Sequence, residues 1–375
     1  MKKWFLVSGL VLMASAIVFS GCNKKDKTDD TNDSGLDRKP MLVNYANNYI
    51  VPGYAALYID IQSLKAKAEA FTNVPDEANL NSLKETFRKA YTTWQKVDML
   101  EFGPAEGVSL RMYMNTYPVT VSKVEANITS GSYDLEEFGN KDAQGFPTID
   151  YLLHGVGTTS AEVINYYTTG AQATQHKAYL LAVANKMLEK VQGVKNDWDT
   201  YKTTFTESAG TDVNSSLSKM TNSFVLYYER YLRSGKIGLP VGAMTGSAKP
   251  EIVESYYTPE FSKDLAITAM TSVKNFYEGK SFDGSVQDAC MKTYLTAIGT
   301  KDDNGTLMAD LISTEMNEAI TGLGGINSNI KDAVLNDRTN VLTVYDQLQE
   351  IVPLLKVDMV SAFGISITYT DNDGD

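Results

Sequence analysis

Residues 80–104, LNSLKETFRKAYTTWQKVDMLEFGP, decide the fold. Leu80, Leu83, Phe87, Ala90, Trp94, Val97 and Glu101 step by three or four, which places them on one face of a long helix. Phe102-Gly103-Pro104 stops it, because glycine favours a helix-ending turn and proline cannot continue one. Outward from this stretch the same spacing returns. Residues 41–72 are apolar and helix-favouring, and Pro52-Gly53 is expected to kink or split them. Residues 173–198 and 213–233 form further helices, and 259–277, 286–297, 307–320 and 333–356 form a second set. Strand-like alternation is sparse. The expectation is an all-α protein of two similar four-helix bundles packed against each other, the first over residues 40–200 and the second over 201–375.

Two interruptions stand out. Residues 105–145 are turn-rich, and Gly235-Lys236-Ile237-Gly238-Leu239-Pro240-Val241-Gly242 reads as a specifically shaped loop included in the second bundle, ahead of its main set of helices. At the front of the chain, Lys2 and Lys3 precede an apolar run from Trp4 to Phe19 and then Ser20-Gly21-Cys22. This is the pattern of an export signal over residues 1–22, and small residues directly before Cys22 look like a bacterial lipobox with Cys22 as the lipidated residue. Residues 23–39 hold almost nothing apolar and read as a flexible tether. The expected location is therefore the cell envelope, on a periplasmic, outer-membrane or cell-surface side, with a membrane held through the anchor.

The chain has 375 residues, 43% hydrophobic, with a formal net charge of -12. A nucleic-acid partner is excluded in bulk, since phosphate binding needs a basic surface. With Cys22 acylated, Cys290 stands alone, so no internal disulfide forms, and a small buried residue is the expected role.

The second informative stretch is Gly145-Phe146-Pro147-Thr148-Ile149-Asp150-Tyr151-Leu152-Leu153-His154-Gly155. Phe146, Ile149, Leu152 and Leu153 share a helix face, Pro147 suits a first turn, and Asp150 is expected near the electropositive helix start. His154 and His176 are the only histidines; no HExxH motif and no GxSxG elbow occur, so nitrogen-ligated zinc and serine chemistry lack their residues. Carboxylates and tyrosines remain: Asp98, Glu101 and Asp150, with 22 tyrosines, are oxygen donors of the kind hard cations prefer. Glu101 and Asp150 are the metal candidates. Arg111, Arg230, Arg233 and Lys236 either form an anion pocket or pair with those carboxylates. The tail Asp371-Asn372-Asp373-Gly374-Asp375 opens like a calcium loop but ends before the glutamate such a loop needs.

Several of these segments, in order, resemble the imelysin-like family of exported bacterial proteins, classed with the peptidases as family M75. Ala90-Tyr91-Thr92-Thr93-Trp94-Gln95 leading to Glu101-Phe102-Gly103-Pro104 is similar to the family's A-x-x-x-W-Q and F-G-P signature. Arg233 to Pro240, and the ending from Leu355 to Asp375, are similar too. The resemblance implies two similar four-helix bundles, a site at their interface and a role in iron uptake. The family motif G-x-H-x-x-E falls on Gly145, Pro147 and Asp150, so proline replaces the histidine and aspartate the glutamate.

These observations together point to a non-enzymatic, lipid-anchored binding protein for iron or haem acquisition, with no catalytic residues. Its ligand would lie between the bundles, among Trp94, Gln95, Glu101, Gly145, Pro147, Asp150, Arg233 and Lys236. Trp94 would wall the pocket, though its position beside Leu80 and Leu83 equally suits the core, and Lys236 would orient an anionic group. A small ligand or metal, and a protein of an iron-uptake system, are the expected partners. The alternatives are an M75-type metallopeptidase and a structural, partner-binding lipoprotein.

Overall fold

The protein is described by a computed structural model covering residues 35–370. The export signal, Cys22, most of the tether and the acidic tail lie outside the described residues.

Helix α1 (Val51–Asn73) is continuous with a helical turn, Lys39–Asn44, and a π-helical stretch, Tyr45–Ile50, before it. The expected break at Pro52 is absent, which corrects the sequence expectation. Proline at 52 has no N–H for the carbonyl four residues back. The widened π turn accommodates it, and the Asn48 carbonyl accepts a hydrogen bond from the Phe282 N–H at 2.8 Å instead. Helix α2 (Glu77–Val97) begins at Asp76, whose carboxylate caps the Asn79 N–H at 2.8 Å. The apolar face expected from the sequence is buried: Leu80, Leu83, Phe87, Ala90, Trp94 and Val97 are at most 1% exposed. Gly103 ends this region at φ 56°, with the Tyr201 ring occupying the space a side chain would need.

After short helices comes α3 (Gly145–Asp150), which runs into π-helical Tyr151–Gly155. Helix α4 (Ala173–Glu207), 35 residues long, buries Tyr179, Leu180, Val183, Met187, Val191, Val194 and Trp198 at heptad-like spacing. It packs with α1, α2 and α3 as the first set of helices. Aromatic side chains fill the space between them, with Tyr91 stacked on Phe146 at 4.4 Å and Phe102 edge-on to Trp198.

The second set is α5 (Ser216–Leu226), α6 (Ser262–Tyr277), α7 (Met308–Gly325) and α8 (Arg338–Pro353). α5 continues as π-helical Tyr227–Gly238, so the stretch expected to be a glycine-rich loop is helix as far as Val241 and turns only at Gly242 (φ 67°). Glycine acts here by close approach. A Cβ on Gly238 would meet the Tyr345 ring at 2.6 Å, and Gly235 faces the Tyr117 hydroxyl. The helix expected over 286–297 starts only at Met291. Cys290 is its cap rather than an interior residue, buried, with Sγ accepting from the Thr293 N–H at 3.4 Å.

The two sets are joined by more than a linker. α2 packs on α6, and residues 39–50 of the first helix lie against the second set. There Tyr45 stacks on Phe276 at 4.2 Å and donates to its carbonyl at 3.0 Å. Among the described residues there are no strands beyond two isolated bridges, and no helix is long and apolar enough to cross a membrane.

Candidate functional site

Between the sets, residues 101–118 face residues 226–252 across a cleft of about 610 Å³. Its floor begins where α2 ends. Asp98 lies in the 3-10 turn Asp98–Leu100 and faces Arg111, whose Nε donates to Asp98 Oδ1 at 2.5 Å and whose second terminal nitrogen donates to the Asp98 carbonyl. The guanidinium lies 3.9 Å over the Tyr231 ring. Burial works against the charge on Arg111, but Asp98 and Glu101 outweigh it and keep the group ionised. Glu101, at the cleft edge, accepts the Arg111 backbone N–H on both oxygens, at 3.2 and 3.1 Å.

Deeper still is a closed polar network. Lys236 Nζ, from the π-helical part of α5, donates to Glu254 Oε2 at 2.5 Å and to Gln95 Oε1 at 2.7 Å. Glu254 Oε1 accepts from Gln95 Nε2 at 3.0 Å and Asn115 Nδ2 at 2.8 Å, and Tyr91 Oη is 2.7 Å from Asn115 Oδ1. The Lys236 and Glu254 side chains are each 3% exposed. A buried pair of this kind survives only with further hydrogen bonds around it, and here Gln95, Asn115 and Tyr91 supply them.

Of the residues singled out in the sequence, Gln95 and Lys236 meet in this network, and Glu101, Arg111 and Arg230 line the cleft, with Asp98 holding Arg111. The other expected ligand contacts lie elsewhere. Trp94 is buried in the core near Phe146 and does not line the cleft. Arg233 turns to the second set, donating to Tyr345 Oη at 3.0 Å and to Gln349. Lys236 is consumed by Glu254 and has no position from which to orient an anion. Gly145 has φ 76°, and a Cβ there would sit 2.4 Å from the Met114 carbonyl oxygen.

Asp150 ends α3 instead of sitting at its start. Its carboxylate holds the loop of the second set, accepting the Tyr257 N–H at 2.9 Å and Thr258 Oγ1 at 2.6 Å, with His154 Nδ1 3.2 Å away. Pro147 and Asp150 border a void of only about 10 Å³, room for a single water. Glu254, Asn115 and Tyr117 were not legible as site residues, because nothing in their spacing links them to Lys236 or Arg111.

Metal ligation was tested on the donor set. Among the described residues no group of three or more histidine, cysteine, aspartate or glutamate side chains is placed to hold an ion. Glu101 and Asp150 do not form one. Burial pushes the hydroxyls of Tyr91, Tyr117 and Tyr227 up, so phenolate is not available near neutral pH. Among the described residues, then, the carboxylate, imidazole and thiol groups do not gather around a site for a bare ion.

Burial raises the Glu101 carboxyl to about 7. A carboxyl raised on folding holds its proton in the native state over pH 4.5 to about 7, so its contribution is present below that window and is lost as pH rises through it. Glu101→Gln is therefore expected to be more stable than wild type at pH 8, by about 3 kcal/mol at most, and to show no such gain at pH 4.5. Urea unfolding at the two pH values measures this; an equal difference at both removes Glu101 as the titrating group.

Such a structure, two helical sets closed by a buried ion-pair network beside an open cleft, defines an all-α, two-bundle fold. The pattern of the Peptidase_M75 family, Imelysin, matches residues 50–355, and the chain belongs to that family. It is similar to "Iron-regulated protein A" of Synechococcus elongatus, 20% identical over 378 residues, covering 95% of this chain and 97% of that one. Among solved structures, an imelysin-like protein from Psychrobacter arcticum 273-4 superposes with a TM-score of 0.65 at 18% identity, over 88% of this chain and 96% of that one. A protein described as an iron-regulated protein A precursor, from Parabacteroides distasonis ATCC 8503, superposes at 0.70 and 16% identity, over 86% and 94%. At these identities the structures speak for the fold.

Proposed function

We propose that this protein is a non-enzymatic, lipid-anchored envelope protein of iron handling, which takes iron as an organic complex, a chelate or haem, in the cleft between its bundles. The observation that carries this is the cleft itself, about 610 Å³ with a rigid, buried charge network beneath it, a size suited to an organic ligand. The iron assignment draws on the name carried by the relatives. The donor set argues for a complex rather than an ion, since among the described residues no cluster of His, Cys, Asp and Glu side chains replaces the chelator.

A peptidase of the family type needs a metal-bound water and a base. Pro147 stands where the motif has its histidine and carries no donor, and Asp150 is spent on Tyr257 and Thr258. The purely structural reading calls for a closed interface, and the cleft speaks against that.

Calorimetric titration of the full chain with ferric, ferrous and zinc ions, with haem and with a ferric hydroxamate tests the proposal. Binding of a complex without comparable binding of bare ions is expected; tight binding of a bare ion alone overturns it. For the anchor, Cys22→Ser is expected to move the protein from the membrane fraction to the soluble fraction, and retention in the membrane removes Cys22 from that role.

A further inference from the structure

We propose that the cleft selects an organic ligand that meets Glu101 with a cationic nitrogen bearing N–H groups, and disfavours anionic ligands; this rests on the cleft being the binding site. The walls are mainly apolar, with Met112, Pro118, Leu226, Leu239 and Ile252 beside the rings of Tyr117 and Tyr231. The charged groups divide unequally between those spent inside the protein and those facing the opening.

Each cation near the cleft has an internal partner. Arg111 holds both the carboxylate and the carbonyl of Asp98, and its flat face is covered by Tyr231. Lys236 lies beneath the floor with Glu254 and Gln95. Arg230, at the rim, donates to the Thr370 carbonyl at 2.5 Å. To bind Arg111 or Lys236, an entering carboxylate or phosphate would have to take the cation from a buried partner already at hydrogen-bond distance and leave that partner unsatisfied, whereas the Thr370 carbonyl on Arg230 is exposed and can turn to water.

The carboxylates are placed the other way. Glu101 accepts one backbone N–H, shared between its two oxygens, whereas a carboxylate offers about four lone-pair sites. Glu106 lines the same wall, and neither forms an ion pair among the described residues. An ammonium or similar N–H group supplies the donors that Glu101 lacks. The net charge of -12 favours the approach of a cation.

A charge series on one scaffold tests this. The full chain in detergent is titrated calorimetrically at pH 8, where Glu101 is ionised, with three ferric complexes: that of desferrioxamine B, with its free ammonium tail, and those of its N-acetyl and N-succinyl derivatives, neutral and anionic at that position. The ammonium form is expected to bind tightest, the acetyl form about 10-fold or more weaker, and the succinyl form weaker again. Glu101→Gln is expected to bring the first two together while the helical circular-dichroism signal is kept, and Glu106→Gln to preserve the order. Equal affinities, or the succinyl form binding tightest, overturn the charge class and leave the cleft as a binding site. If none of the three binds, the cleft is not the site, and both readings fall. The wild-type series alone decides the matter should Glu101→Gln not fold.

Discussion

Lys236→Met is expected to cost the protein about 3–5 kcal/mol, because it leaves the Glu254 carboxylate buried without its cation. Glu254 has 3% of its side chain exposed, and Lys236 Nζ at 2.5 Å is its only ionic partner among the described residues. Gln95 and Asn115 would remain as donors, but neutral amides do not replace a charge. Gln95 of α2 and Asn115 of its following segment bind this pair, so the loss is expected to loosen the interface between the two sets as well as the core. Lys236→Met combined with Glu254→Met removes both charges and is expected to recover much of the stability. Urea unfolding of the two single variants and the double variant reads this directly. Singles within about 1 kcal/mol of wild type would show that the pair does not hold the halves together.

Gly145→Ala is expected to be destabilising by about 3 kcal/mol or more. At φ 76° an alanine is strained by itself, and its Cβ would stand 2.4 Å from the Met114 carbonyl oxygen and 2.7 Å from that of Tyr113. Both are backbone atoms in the segment bordering the cleft, so relief requires moving the chain. Gly193→Ala, on the exposed face of α4 with no atom within 4 Å of the new Cβ, is the control and is expected to stabilise by about 0.5–1 kcal/mol. A thermal midpoint for Gly145→Ala matching that of the control would contradict the geometry.

How much of this was legible in the sequence follows from the range of the interactions. The apolar face from Leu80 to Val97 is local periodicity, and it gave α2 and the all-α class directly. The π-helical stretches were not legible, because their causes are remote. Asn48 loses its helical bond to proline, yet its replacement donor is Phe282, far along the chain. Likewise, Gly235 and Gly238 look like loop residues until Tyr117 and Tyr345 are seen against them. Local reading treats a glycine as freedom, whereas here it serves as clearance.

The site divides in the same way. Glu101 was marked by its place at the end of a helix beside Phe102-Gly103-Pro104, and it does reach the cleft. Gln95 and Lys236 were chosen as ligand contacts, and the structure puts them together but against Glu254, as support below the floor. Asp150 was read as a helix-start carboxylate. It is a tether for the Tyr257 N–H and the Thr258 hydroxyl, which only the tertiary fold brings near. Pro147 carries no donor and its neighbouring void is too small for a ligand; an opening of about 620 Å³ lies beside His154, Gly155, Tyr257 and Thr258, and the cleft of similar size beside Glu101 lies one segment away.

The account's central claim is that iron enters this protein inside an organic complex and rests between the bundles. The most direct test is a crystal of the full soluble portion soaked with the ferric complex of desferrioxamine B, with diffraction recorded at the iron absorption edge to locate the metal. The account predicts one iron peak in the cleft between residues 101–118 and 226–252, with the chelator around it and no protein side chain in coordinating distance. An iron peak ligated by protein side chains, or one lying at Asp150 and His154, would contradict it.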